Sequence, residues 1–153
     1  MKSTPDIPIL RLEEFLPYRL VRAAEAVSLD FSRIYKEKHG LSRPEWRVLA
    51  TLAQFGRATA TDIGAHSAMH KTKVSRAVFE LESRRWLVRK ADDTDRRVEW
   101  LELTQTGRNV FTTLAAPAKD YEQELFAKLG KESARHLLVA LGKLEKLNLP
   151  KSR

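Results

Sequence analysis

Two stretches of this chain are free of acids and rich in bases. No carboxylate lies between Asp62 and Glu80, and that stretch carries Lys71, Lys73 and Arg76. The second, residues 84–90, carries Arg84, Arg85, Arg89 and Lys90. Cations without nearby counter-charges suit a polyanion such as a phosphate backbone. Arg76 and Lys73 have the donor geometry for guanine N7 and O6, while Thr72 and Ser75 can serve bases or phosphates. A run of charge describes a solvated face equally well, so the surrounding elements decide. His66 and His70 stand four apart and could face one metal from a helix. A turn is expected between them, however, and no cysteine or nearby carboxylate completes a site. They read better as capping or DNA-proximal groups, with no metal and no cofactor. His39 falls at a helix end, where its ring suits the dipole; His136 falls on a helix without an assignable role. No Gly-rich phosphate loop and no nucleophile–base pair is present, so the chain does not read as an enzyme.

Composition narrows the classes further. The 153 residues hold 28 Lys+Arg and 20 Asp+Glu, a formal net charge of +8, and no cysteine. The length suits one domain over 1–153. The absence of cysteine removes disulfides, thiolate metal sites and thiol-based oxidant sensing. No apolar run approaches the ~18 residues of a membrane span, nor the length of a signal peptide near the N-terminus. The expectation is a soluble cytoplasmic protein without a membrane partner. The excess charge is spread evenly, at +2, +3 and +3 over residues 1–65, 66–100 and 101–153. Placement of charge therefore says more than its total.

The elements that must position these residues follow from periodicity. Pro5 and Pro8 mark an arm at 1–9, and 10–16 forms a short helix or an extension of the next. Pro17 suits a first helical turn. Leu20, Val21, Ala24, Val27, Ser28, Phe31, Ile34 and Tyr35 then make one face of a long helix that Gly40 stops. Ser42-Arg43-Pro44-Glu45 is a capping box for a helix burying Trp46, Val48, Leu49 and Leu52, ended by Gly56. Thr59, Thr61 and Asp62 open a short helix with Ile63 buried. A turn leads to a helix over 71–84 that buries Val74, Ala77, Val78 and Leu81, which is helix-turn-helix spacing. The period then becomes two. Leu87-Val88 and 98–103 are the strands of a β-hairpin about the turn Asp92-Asp93-Thr94-Asp95. Thr104 caps a helix that Pro117 should kink and Gly130 ends; a last leucine-rich helix runs to Pro150. The fold class is mainly α with a small β-hairpin: a winged helix-turn-helix over 41–104, with its wing at about 87–103. Long helices at 10–40 and 105–148 flank it. Their apolar stripes lack a partner inside one winged domain, so a homodimer is expected.

Asp95-Arg96-Arg97 followed by Leu103-Thr104-Gln105-Thr106-Gly107 resembles the wing of the MarR family of bacterial transcriptional regulators, D-x-R and then L-T-x-x-G. Leu41-Ser42 with Glu45-Trp46-Arg47-Val48-Leu49 resembles the family's second helix. Val74-Ser75-Arg76 with Leu81-Glu82 resembles its recognition helix, and Leu87-Val88-Arg89 its first wing strand. The similarity spans about 16–147. It implies a winged-helix homodimer on a pseudo-palindromic operator in double-stranded DNA, modulated by a small ligand, often an anionic aromatic compound. Two positions depart from the pattern. Arg85 stands where the family has glycine, which costs ~1 kcal/mol if the backbone is left-handed. His70 replaces the usual capping Ser, Asp or Thr, and a neutral imidazole can still accept one bond.

Within this reading Lys71, Thr72, Lys73, Ser75 and Arg76 form the face that enters the major groove, although Lys71 and Lys73 serve equally well as phosphate contacts alone. Arg97 is the wing-tip residue for a narrow minor groove. Asp95 orients it, and Arg96 and Lys90 neighbour phosphates. Ser42, Thr59 and Thr61 begin helices, whose N-termini bind phosphate, though capping explains them as well. The resemblance places a ligand pocket between the first long helix, the second helix and the helix after the wing. There Arg19, Arg22, Trp46 and Arg47 offer cationic and aromatic surface to an aromatic acid. A core position for Trp46, and dimer or surface salt bridges for the arginines, are the plainer alternatives. The function expected is a ligand-responsive regulator, a repressor by preference. A non-specific architectural DNA-binding protein and a winged-helix protein-interaction module are the competing classes.

Overall fold

The computed structural model describes residues 9–147; the proline-bearing arm and Pro150 lie outside them. A 3-10 turn at Leu12–Glu14 precedes α1 (Leu16–His39), so the first short segment is neither a full helix nor part of α1. Gly40 ends α1 at φ 63°, with its N–H on the Lys36 carbonyl at 2.8 Å. That left-handed conformation is what glycine supplies without steric cost. Next comes α2 (Arg43–Phe55), held at its start by the reciprocal bonds of Ser42 and Glu45.

After Gly56 a strand that periodicity did not reveal, β1 (Arg57–Ala58), leads to α3 (Ala60–Ser67) and α4 (Lys71–Ser83). β2 (Leu87–Ala91) and β3 (Glu99–Leu103) follow. The sheet therefore has three antiparallel strands in the order β1-β3-β2, rather than a hairpin alone. Arg57 pairs with Glu102 and Ala58 with Leu101, while Leu87 to Ala91 pair with Leu103 back to Glu99. Two residues are too few to show alternation, so only the partner strand reveals β1. Leu101 and Leu103 point inward and Trp100 outward, so the adjacent apolar pair Trp100-Leu101 obeys the period of two after all.

The chain divides between Phe111 and Thr112 into two compact units. In the first, Tyr35, Leu41, Val48, Leu49, Leu52, Ile63, Val74, Val78, Leu81, Leu87 and Leu101 are fully buried. Burial of each such side chain is worth roughly 1.5–3 kcal/mol. α2 packs on α3 and α4, so the motif helices share one core. The L-T-x-x-G residues have a steric reason. Thr104 accepts the Gly107 N–H at 3.1 Å and opens α5 (Gln105–Leu129). A Cβ on Gly107 would lie 2.1 Å from the Trp86 carbonyl oxygen, so only glycine fits. α5 continues as helix through Pro117. In the second unit α6 (Lys131–Glu145) follows Gly130. Leu137, Leu138 and Val139 of α6 are exposed, as are Leu16, Val21 and Leu29 of α1 in the first unit.

Candidate nucleic-acid interface

The site is built on α3, α4 and the β2–β3 wing. Thr59 caps α3 in a reciprocal box with Asp62, whose carboxyl is lowered by hydrogen bonds from the Thr59 hydroxyl and N–H. Thr61 is not a cap: it sits inside the first turn of α3, exposed, because Thr59 already closes that end. Ala68 takes a left-handed turn at φ 51°. His70 then caps α4, its Nδ1 accepting the Thr72 N–H at 3.3 Å. The histidine pair is thus split between roles, His66 lying edge-on to the Phe55 ring at 4.9 Å. His39 meets Trp86 edge-on, and burial lowers its pKa. His136 contacts Arg135.

Lys71, Thr72, Lys73, Ser75 and Arg76 are all exposed, on the side of α4 away from Val74, Ala77, Val78 and Leu81. Among the described residues, Lys71, Lys73 and Arg76 make no ion pair. The second acid-free stretch is different. Arg84 turns inward, donating to the His39 carbonyl at 2.7 Å and the Gly40 carbonyl at 3.0 Å. It also lies 3.7 Å from buried Glu45 and against the Trp86 ring. One guanidinium thereby joins the end of α1, the start of α2 and the end of α4. Arg85 is left-handed at φ 61°, the strained geometry expected where glycine is missing. Arg89 bridges Glu82 and Glu99 at 2.9 and 2.8 Å, and Lys90 pairs with Glu102 at 2.7 Å.

At the wing tip Asp92 accepts bonds from Trp100 Nε1 at 2.8 Å, from the Thr94 hydroxyl and N–H, and from the Asp95 N–H. These donors, Trp100 first, hold its carboxyl far below the usual range. Trp100 is in turn covered by the Arg57 guanidinium at 4.5 Å. Asp95 grips Arg97 through Nε and a terminal nitrogen, both at 3.0 Å, and accepts the Arg97 N–H. That guanidinium keeps the Asp95 carboxyl charged. Arg97 itself is 91% exposed, and Arg96 is exposed beside it. Sequence reasoning assigned Asp92 to a turn and missed its pairing with Trp100, which only the β3 register brings near.

The four pocket candidates do not come together within the chain. Trp46 stacks between Tyr35 and Phe111, with Phe31 edge-on, in an aromatic cluster. Arg19 and Arg22 lie on the exposed first half of α1, Arg22 against the Tyr18 ring. Nine residues separate Arg22 from Phe31, roughly 14 Å along a helix. Trp46 and Arg47 do share a shallow cleft with Thr51, Gln54 and His66, and Arg47 also lines a cleft of about 530 Å³ with Lys36, Arg43, His70 and Lys73. Arg43 is held there by two bonds to Glu25 at 2.8 and 3.0 Å.

Known proteins resemble this chain in sequence and in fold. Residues 39–98, the helix-turn-helix with most of the wing, match the model of the MarR family. The regulator MhqR of Bacillus subtilis (strain 168) is 33% identical over 88 residues, which are 58% of this chain and 60% of that protein. The regulator PecS of Dickeya dadantii (strain 3937) is 28% identical over 137 residues, 85% of this chain and 82% of that one. Both are named as HTH-type transcriptional regulators, a non-enzymatic class. Among solved structures, BpsR of Bordetella bronchiseptica, described as regulated in DNA binding by 6-hydroxynicotinic acid, superposes with TM-score 0.80 at 21% identity, covering 92% of this chain and 100% of that one. NadR in complex with 4-hydroxyphenylacetate gives 0.76 at 21% identity, covering 93% and 100%. At such identities the likeness speaks for the winged-helix fold, while the matched segment and the two named regulators show where the similarity lies: the helix-turn-helix and most of the wing resemble those of the MarR family of transcriptional regulators.

Proposed function

We propose that this regulator binds a pseudo-palindromic operator as a homodimer, acts in the cytoplasm as a repressor, and is released by a small anionic aromatic ligand. The observation that carries the DNA reading is the open cationic face of α4, where Lys71, Lys73 and Arg76 project from a capped helix without ion pairs among the described residues. Arg76 and Lys73 read guanine edges in the major groove, with Thr72 and Ser75 beside them. Lys71 holds phosphate, and the N-termini at Ser42 and Thr59, with Thr61, lie ready for the backbone. Arg97, aimed by Asp95, enters the minor groove. Arg96 neighbours phosphate, as does Lys90 once it exchanges Glu102 for DNA. The exposed apolar residues of α1 and of α6 support a second copy as partner.

The ligand reading rests on two supports. NadR and BpsR are described with 4-hydroxyphenylacetate and 6-hydroxynicotinic acid, both aromatic acids. This chain has a cleft with Lys36, Arg43 and Arg47 on its wall. Arg19, Arg22 and Trp46 join such a site only if the second copy brings them there.

Binding to DNA selected from a random pool, measured from 50 to 200 mM salt, tests the first part. Six to ten phosphate contacts lower affinity by about 10³–10⁵ over that range. A flat salt dependence refutes DNA binding, and equal affinity for selected and random DNA makes the protein architectural instead. A thermal-shift and gel-shift titration with the two named acids tests release. No change in melting or in operator affinity with either acid removes the ligand reading.

A further inference from the structure

Phe79 stands apart on α4. Its side chain is 61% exposed, although phenylalanine is normally buried. The other exposed residues of the first two and a half turns are Lys71, Thr72, Lys73, Ser75, Arg76 and Glu80, all polar. At 100° per residue Phe79 lies roughly 150° from the centre of the buried face of Val74, Ala77, Val78 and Leu81. It thus falls one turn beyond Ser75 and Arg76, on the same side. Among the described residues the ring makes no aromatic or cation–π contact, and its backbone is ordinary helix, with the Ser83 hydroxyl bonded to its carbonyl at 2.8 Å.

A phenyl ring embedded in a cationic face needs a partner that is both polyanionic and locally apolar. The major groove of DNA is such a surface. The phosphates carry the charge, and the only apolar group on its base edges is the C5-methyl of thymine, which phenylalanine contacts well. We infer that Phe79 is a specificity-determining residue that reads a thymine methyl in the operator. This rests on the proposal that α4 enters the major groove. Phe79 lies about 4.5 Å along the helix axis from Arg76, close to one base step of 3.4 Å. The thymine it reads therefore falls within one or two steps of the base whose preference depends on Arg76.

The test removes the methyl rather than the base. Operator DNA selected with the wild-type protein is resynthesised with deoxyuridine at each thymine in turn, and binding is compared for wild type, Phe79→Ala and Phe79→Leu. Because the ring is exposed, Phe79→Ala should keep the wild-type melting temperature. One thymine, near the Arg76-dependent base, should lose about fourfold in wild-type affinity per half-site, the worth of one buried methyl. That loss should vanish in Phe79→Ala and persist in part in Phe79→Leu. An equal deoxyuridine penalty in wild type and Phe79→Ala overturns the inference while leaving DNA binding intact. So does the absence of any methyl-dependent position. Failure of the wild type to select any DNA overturns both readings.

Discussion

The two acid-free stretches look alike on paper and behave as opposites in the fold. The stretch ending at Phe79 leaves Lys71, Lys73 and Arg76 open on the outer face of α4. The stretch at 84–90 is largely spent on the protein itself. Arg84 closes the end of α1, Arg89 bridges Glu82 and Glu99, and Lys90 meets Glu102. The acids that neutralise the second stretch come mainly from β3, which pairs beside β2. Among the described residues no such strand flanks the outer face of α4. Acid-free sequence is therefore not unpaired surface, because a sheet brings together charges that the chain separates by ten residues or more.

Four measurements press on this contrast. The largest effect is expected at Arg84. Arg84→Ala leaves the His39 and Gly40 carbonyls without the Arg84 donor and Glu45 without its neighbouring cation, and should lower stability by about 2–3 kcal/mol in chemical denaturation. Its DNA affinity below the melting transition should stay near wild type; a loss of affinity at full folding would put Arg84 in the interface. Arg76→Ala should leave stability within about 0.5 kcal/mol and remove about 1–3 kcal/mol of discrimination between selected and random DNA. Equal weakening on both DNAs would make Arg76 a phosphate contact. Lys71→Ala should weaken all DNA alike and reduce the salt slope by about 1; an unchanged slope removes it from the backbone.

The smallest effect is the sharpest on the contrast. Glu102→Gln frees Lys90 from its only ion pair among the described residues. If Lys90 then reaches phosphate, affinity should rise slightly and the salt slope steepen. An unchanged slope would mean that the second stretch stays out of the interface even when released.

The wing adds a pH test. Asp92 and Asp95 both have carboxyls lowered in the fold, by Trp100 and by Arg97 respectively. A lowered folded pKa means that the stabilisation is present above the ordinary aspartate value of about 3.9 and is lost as pH falls through the lowered one. The indole N–H signal of Trp100 should therefore hold its bonded position from pH 7 to pH 5 and shift only in stronger acid. A shift between pH 5 and 7 would contradict the Asp92 bond.

Much of this was legible beforehand, for local reasons. The capping boxes, the Gly40 stop, the buried face of α4 and the grip of Asp95 on Arg97 all act within a few residues. So does the His70 cap, a substitute that still accepts one bond. β1 escaped notice because two residues carry no period. Thr61 looked like a cap because Thr59 and Thr61 are equivalent in type, and only the backbone distinguishes them. Arg19 and Arg22 were grouped with Trp46 by residue type, but the length of α1 sets them apart within one copy.

By itself the sequence determined the order and type of the helices and of the two wing strands, the acid-free run on α4 and the place of Gly107 in a motif. Periodicity, capping and turn chemistry are short-range, and they need no partner to be read. Tertiary structure alone decided which cations remain available, where the Asp92 carboxylate finds its indole, and that Phe79 stays outside the core. Those outcomes depend on strand register and helix packing, which bring distant residues within 3–4 Å or keep them out of reach.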